Sequence, residues 1–434
     1  MRKKRKNVIL ITVDSLRADF IGIWNKEFKE VTPEIDKFGK DSIVFKNAFS
    51  HSSHTRCSFA SLFTSKYPSS DTYPILKDNY KTIAEILRDE GFTTIGIHSN
   101  PFLSRPFGYT KGFEVLEDSI YPWKSDMLPK KIHLFLSKIF RLVKTRPYLS
   151  AKEINEKIFK CIDKISFPFF LWVHYMDVHG PYQSKKGFSY ISKIKGEILW
   201  RKAVKSPHSL TSKEKNDLIK WYKEEIFYFD KYFGEILNFL KVKELINDTI
   251  IVFCSDHGDA FYEHEFYRHE RFLYDELLHV PLIIKHPDFP HMEINEIVGL
   301  VDVAPTLLGM LKIETKYDSD GESLLPLIRK KGKKKRNFII ADTTLDDKYP
   351  HVCIRTDKWK LIINENIKKY ELYNVEKDPQ EKDNLYEVNK EKVMELRKIL
   401  RKYYSFEKKE SKDFKKEPEI DEEVMRRLKD LGYF

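Results

Sequence analysis

Three unbroken apolar runs constrain this chain more than any other feature: residues 7–13 (NVILITV), 167–173 (FPFFLWV) and 249–254 (TIIVFC). A half-solvated strand alternates apolar and polar residues, and these do not. They read as strands of a parallel sheet covered by helices on both faces. Each run stops abruptly at polar residues: Asp14-Ser15, then His174 to Gly180 (HYMDVHG), then Ser255 to Asp259 (SDHGD). In open α/β sheets ligands bind beyond the carboxyl ends of the strands. These three clusters are therefore where a site is expected.

Helical patterns alternate with the strands. Residues 42–49 and 93–98 read as further strands, and residues 82–90 as a helix closed by Gly91. Helical spacing also runs through residues 125–165 and 216–240, whereas 183–215 reads as basic and irregular, a lid or insertion. Residues 130–144 (KKIHLFLSKIFRLVK) form a basic amphipathic stretch, read as a helical cover over the site in preference to a membrane-surface helix. After the KKGKKKR run, short strands at hairpin spacing predict a small antiparallel sheet. The predicted division is a catalytic domain over 1–330, a sheet-and-helix subdomain over 331–405 and a charged tail over 406–434.

Composition narrows the classes. The 434 residues carry a net charge of +11, but 77 basic residues face 66 acidic ones, and much of the excess sits in short runs (2–6, 330–336, 408–416). No nucleic-acid-binding motif accompanies those runs, so solvated loops and tails explain them. The four cysteines, Cys57, Cys161, Cys254 and Cys353, are widely spaced with no CxxC pair, which suits a reducing compartment. The apolar start is too short for a signal peptide or a membrane span. The expectation is a cytoplasmic protein without stable membrane insertion and without nucleic-acid partners.

Residues 46–68 (KNAFSHSSHTRCSFASLFTSKYP) hold eight Ser or Thr, two His, one Arg and one Cys before an apolar turn. Small hydroxyl residues cap helices, and a helix start presents N–H groups to an anion. A hydroxyl or thiol held there could attack a sulfate or phosphate ester; the alternative is an ordinary capped helix. Asp14, Asp256 and His257, on separate strand ends, offer hard oxygen and imidazole ligands for a metal. His179 or His269 would serve the leaving-group proton. His174 and His264 receive no role from the sequence.

Taken together, these motifs resemble the sulfatase family of the alkaline phosphatase superfamily. The resemblance spans nearly the whole chain: NVILITVDSLRAD, the 46–68 stretch, FFLWVHYMDVHGPY, DTIIVFCSDHGD, LYDELLHVPLII, VDVAPTLL, DGESLLPLI and ELYNVEKDPQEKDNL. It implies an α/β sandwich with a central, mostly parallel sheet covered by helices, plus a small C-terminal antiparallel subdomain. It also implies a divalent metal ion (Ca, Mg, Mn or Zn), held by Asp14, Thr55, Asp256 and His257. Family sulfatases use a cysteine converted to formylglycine in a Cys-x-Pro/Ala-x-Arg pattern. Here the register places Thr55 at that position, with Cys57 at the proline and Phe59 at the arginine. Thr55 is accordingly the expected nucleophile, as in relatives that act on phosphate esters. The paired Asp after the first strand is Asp14-Ser15, and the family lysines near His98 are missing, so anion binding falls to Arg56 or Asn100. The implied substrate is a small-molecule, glycan or lipid ester. Rival readings are a transferase of phospho head groups, a formylglycine sulfatase acting through Cys57, and a non-catalytic binding protein.

Overall fold

β1 (Asn7–Val13) lies between β5 (Phe169–Tyr175) and β6 (Thr249–Ser255) and runs parallel to both in the computed structural model. The structure describes residues 5–68, 76, 79–118, 148–183, 190–269, 271–332, 336–343, 350–404, 420 and 422–430. All residues of these three strands are buried, as their uninterrupted apolar sequences require. Register brings their ends level: Val13 stands opposite Tyr175 and Ser255. The polar residues that follow each strand therefore emerge side by side.

The other strands of this sheet are β2 (Ile43–Phe49), β3 (Thr93–Ile97), β4 (Val115–Glu117), β9 (Leu282–Lys285) and β10 (Met292–Gly299). Their order is β10-β2-β9-β6-β1-β5-β3-β4, mostly parallel, with β9 antiparallel to β2 and β6. Between β6 and β9 a short hairpin joins β7 (Ala260–Phe261) and β8 (Tyr267–Arg268). Helices Thr55–Thr64, Ile83–Asp89 and Val303–Leu311 cover one face, and Ala151–Ile162 and Ser212–Val242 the other. The longest, Ser212–Val242, starts at a Thr211–Glu214 capping box. It buries Leu218, Tyr222, Ile226, Phe229, Phe233, Ile236 and Leu240, a helical period worth roughly 1.5–3 kcal/mol per large apolar side chain. This is the alkaline phosphatase-like arrangement implied by the resemblance.

Two segments differ from the sequence reading. Residues 183–215 are not irregular throughout: Tyr190–Lys205 is a helix that buries Leu199, Trp200 and Ala203, a period its scattered lysines conceal. Within the charged tail, Glu422–Asp430 forms a helix whose Val424 and Leu428, four residues apart, enter the main core. The basic stretch 130–144 lies outside the described residues.

A second sheet, β11 (Phe338–Asp342), β12 (Val352–Thr356), β13 (Lys360–Asn364) and β14 (Lys369–Tyr373), is antiparallel throughout. Helix Lys390–Leu400 covers one side of it, and Tyr274 and Leu278 pack on the other. Its junction with the larger sheet combines an apolar cluster, which groups Ile339 and Ala341 with Phe49 and Ile297, with buried ion pairs. Lys360, with no exposed surface, places Nζ 2.8 Å from both Asp275 Oδ1 and Glu381 Oε1, and Arg355 Nη2 lies 3.0 Å from Asp275 Oδ2. Asp275 opens the short helix Asp275–Leu278, and the Leu277 carbonyl accepts the Gly258 N–H at 2.8 Å. The small sheet thus holds the loop that follows β6.

Removing one member of a buried ion pair strands the others in a low-dielectric site. Lys360→Met is expected to lower stability by about 3–5 kcal/mol, read from the denaturant midpoint. A second expectation concerns Asp230, whose carboxylate accepts the Glu34 and Ile35 N–H groups at 3.0 and 2.8 Å. Burial pushes this carboxyl up to about 7, against the pull of those two bonds. A folded-state value above the unfolded 3.8 means the native state holds the proton longer, so stability falls as pH rises from about 4 to about 7. Relative to Asp230→Asn, the wild type should lose unfolding midpoint across that window.

Candidate active site

Asp14, Asp256 and His257 meet at the carboxyl ends of β1 and β6, each offering a ligand atom within 4.8 Å of the others. All three are fully buried. Backbone geometry sets this up. Ser15 adopts a left-handed φ of 59°, held by Tyr222 Oη donating to its carbonyl at 2.8 Å. That turn aims the Ser15 N–H at Asp256 Oδ1 (3.2 Å), which also accepts the His257 N–H (2.9 Å). Gly258 has to be glycine: a Cβ there would stand 2.0 Å from the Glu276 carbonyl oxygen. His257 Nδ1 donates to the Gly258 carbonyl at 2.9 Å, which turns Nε2 toward the carboxylates.

Two buried carboxylates this close cannot both stay charged at low cost. Burial opposes ionisation of Asp14, but His179, His174 and His257 outweigh it and hold the group far below the usual carboxylate range. Asp256 is pushed well above that range, first by burial and then by the Asp14 charge. Its Oδ2 is buried without a hydrogen-bond partner among the described residues and lies 3.5 Å from His257 Nε2. An orphaned carboxylate oxygen, a second carboxylate and an imidazole nitrogen suit a hard or borderline divalent cation. The residues present therefore fit a metal ion.

Helix Thr55–Thr64 starts directly beside this cluster. His54 caps it, with Nδ1 accepting the Arg56 N–H at 3.2 Å, and the chain leaves it at Ser65 in the left-handed region. Thr55 Oγ1 sits 3.3 Å from His257 Nε2. Ser58 Oγ donates to the Asp256 carbonyl at 2.7 Å, tying the helix to the β6 loop. Behind it, the Ser52 hydroxyl donates to the Asp342 carbonyl of β11 at 2.7 Å. Cys57 is the third residue of the helix and is buried.

His269 Nδ1 lies 3.1 Å from Asp259 Oδ1, and its ring stands 4.3 Å from that of His257 and 5.4 Å from that of His179. Tyr182 Oη donates to the other Asp259 oxygen. Burial raises the Asp259 carboxyl to about 6 and lowers the His179 imidazole. The remaining two expected residues, Arg56 and Asn100, have these contacts. Arg56 lays its guanidinium over Phe102 (4.6 Å) and Phe107 (4.9 Å). Asn100 donates from Nδ2 to Asp14 Oδ2 at 3.0 Å and caps Phe102 with Oδ1. His264 is structural: it stacks on Tyr274 at 3.7 Å and meets Glu276 at 2.8 Å. His174, left without a role by the sequence, lies 3.2 Å from Asp14 Oδ2. Only the β1–β5 register reveals that adjacency.

An eight-stranded mixed sheet with acids and histidines at its strand ends, and a small antiparallel sheet beside it, defines an alkaline phosphatase-like fold carrying a hydrolase site. The family model described as Sulfatase matches residues 6–313, and that described as N-sulphoglucosamine sulphohydrolase, C-terminal, matches residues 262–419. The chain belongs to the sulfatase family and is a sulfuric ester hydrolase. Arylsulfatase K of Gallus gallus is 25% identical over 466 residues, covering 93% of this chain and 83% of that protein. An N-acetylglucosamine-6-O-sulfatase of Bacteroides thetaiotaomicron is 28% identical over 220 residues, 47% of this chain and 39% of that protein. Among solved structures, the phosphonate monoester hydrolase of Agrobacterium radiobacter superposes with a TM-score of 0.71 at 18% identity, covering 91% of this chain and 96% of the other. A protein solved with its substrate D-glucosamine-2-N,6-O-disulfate does so with a TM-score of 0.71 at 18% identity, covering 92% and 97%. These two likenesses are of fold. Among the described residues, no helix is long and apolar enough to cross a membrane.

If the cluster takes a divalent cation, adding one to stripped protein should raise the thermal midpoint. Asp256→Asn, which keeps the shape of the side chain but loses the anionic ligand, should abolish most of that rise. Scanning fluorimetry with and without cation reads both.

Proposed function

We propose that the chain cleaves sulfate or phosphate esters by in-line attack of the Thr55 hydroxyl, beside a divalent cation held by Asp14, Asp256, His257 and Thr55 itself. The observation that carries this reading is the Thr55 hydroxyl, 3.3 Å from His257 Nε2 in the first turn of its helix. A cation bound there would lower the pKa of that hydroxyl and neutralise charge on the ester oxygens.

Thr55 reacts as the alkoxide, its hydroxyl proton released to solvent beforehand. Its Oγ1 forms a bond to sulfur or phosphorus as the bond to the leaving oxygen breaks, and the same alkoxide is regenerated when water displaces it. His269, whose positive form the Asp259 carboxylate stabilises at 3.1 Å, gives its proton to that oxygen. His179, held by donation from Nδ1 to the Gly180 carbonyl, orients the leaving group. Water then attacks the Thr55 ester, neutral His269 takes the water proton, and the inorganic anion departs. A threonine ester lacks the second hydroxyl by which a formylglycine hydrate expels sulfate. This shifts weight toward phosphate esters alongside sulfate esters, carried on a small-molecule, glycan or lipid alcohol. Four widely spaced cysteines with no CxxC pair support a cytoplasmic setting.

Purified protein should be assayed on aryl sulfate, aryl phosphate and aryl phosphodiester substrates, with peptide mass spectrometry of the wild type. Thr55→Ala should lose at least about 10³-fold in turnover of whichever substrate is cleaved. Cys57→Ala should stay within a few-fold of wild type, and Cys57 should be unmodified. Loss of activity in Cys57→Ala together with formylglycine at position 57 would sink the Thr55 assignment.

A further inference from the structure

Asp14 has two carboxylate oxygens, and buried side chains from two other elements hold one of them, whereas the other meets the hydroxyl of its chain neighbour Ser15. Oδ2 accepts Asn100 Nδ2–H at 3.0 Å and faces His174 Nε2 at 3.2 Å. A carboxylate only accepts, so that ring nitrogen carries a proton. His174 is fixed from its other side as well. Thr12 Oγ1 lies 3.0 Å from Nδ1 and receives the Trp172 indole N–H at 3.0 Å, while Phe59 meets the imidazole edge-on at 5.0 Å. Every one of these side chains is fully buried, and they come from β1, β5, the loop after β3 and the helix Thr55–Thr64.

Asp256 repeats the pattern. Its Oδ1 accepts two backbone N–H groups, from Ser15 and His257, and Oδ2 is the oxygen left over. Asp14 Oδ1 accepts the Ser15 hydroxyl at 2.8 Å and lies 4.0 Å from His257 Nε2. The cluster therefore presents single atoms: one oxygen from each aspartate and one imidazole nitrogen. Calcium takes six to eight oxygens, often with two-oxygen carboxylates, whereas smaller divalent ions accept fewer and closer ligands.

We propose that His174 is a positioning residue which, with Asn100, holds Asp14 as a one-oxygen ligand and so makes the site selective for a small divalent cation over calcium. This rests on the reading of Asp14 as a cation ligand. Its effect is on cation affinity and does not require substrate.

The test is isothermal titration of cation-stripped, full-length protein with Mn²⁺ and with Ca²⁺, without substrate. Wild type should bind Mn²⁺ at least about tenfold more tightly than Ca²⁺. His174→Phe should weaken Mn²⁺ about 10–100-fold, as loss of a partner to a metal ligand does, and weaken Ca²⁺ less, so that the preference narrows. His174→Gln, which restores an N–H toward Oδ2, should recover most of it. Asn100→Ala, which removes the other bond to the same oxygen, should narrow the preference in the same direction and decides the matter if His174→Phe does not fold. Unchanged Mn²⁺ affinity in these variants, or equal losses for both ions, overturns the role of His174 and leaves the cation site standing. A wild type that binds neither ion overturns both readings.

Discussion

Two carboxylates share one small buried volume at the top of the sheet, and most of the site can be understood as a response to that. The surrounding histidines pull the Asp14 carboxyl down against its burial, while burial and the Asp14 charge push the Asp256 carboxyl up. Such a pair is costly in an apolar interior unless a cation joins it. A cation placed among them would turn repulsion into shared attraction. The polar groups around the pair have a common purpose in this light: they fix which oxygen faces inward.

The fixing is distributed over the whole chain. Ser15 and Gly258 supply backbone geometry, Tyr222 reaches from the long helix, and Ser58 binds helix Thr55–Thr64 to the Asp256 carbonyl. The Ser-rich loop before Thr55 is held in turn by β11. A hydroxyl beside a metal-type cluster has to be placed within a fraction of an ångström to be useful. No single element here could do that alone.

The large features were legible because buried parallel strands leave an unmistakable sequence trace. β1, β5 and β6, and the four strands of the small sheet, could be read from apolar runs and hairpin spacing, and Asp14, Asp256 and His257 from their place just past the strand ends. The failures share a physical cause. Helix Tyr190–Lys205 hides its apolar period among lysines, and β10 (MEINEIVG) buries only part of its length. The surroundings of His174 depend on strand register, which sets it directly beside Thr12 of the adjacent strand. Residue type suggested Arg56 and Asn100 for the anion, but not that Arg56 also lies over Phe102 and that Asn100 also bonds Asp14. Residue chemistry can be read from a sequence far more readily than the direction in which a side chain points.

The ionic junction at Lys360 bears on the order in which this enzyme is made. The loop bearing Asp256 and His257 leans on helix Asp275–Leu278, and that helix is secured by residues about a hundred positions later, Lys360 and Glu381. As the chain leaves the ribosome, the strands of the large sheet emerge well before their anchor does. The loop bearing Asp256 and His257 thus gains this anchor only once the small sheet has been synthesised.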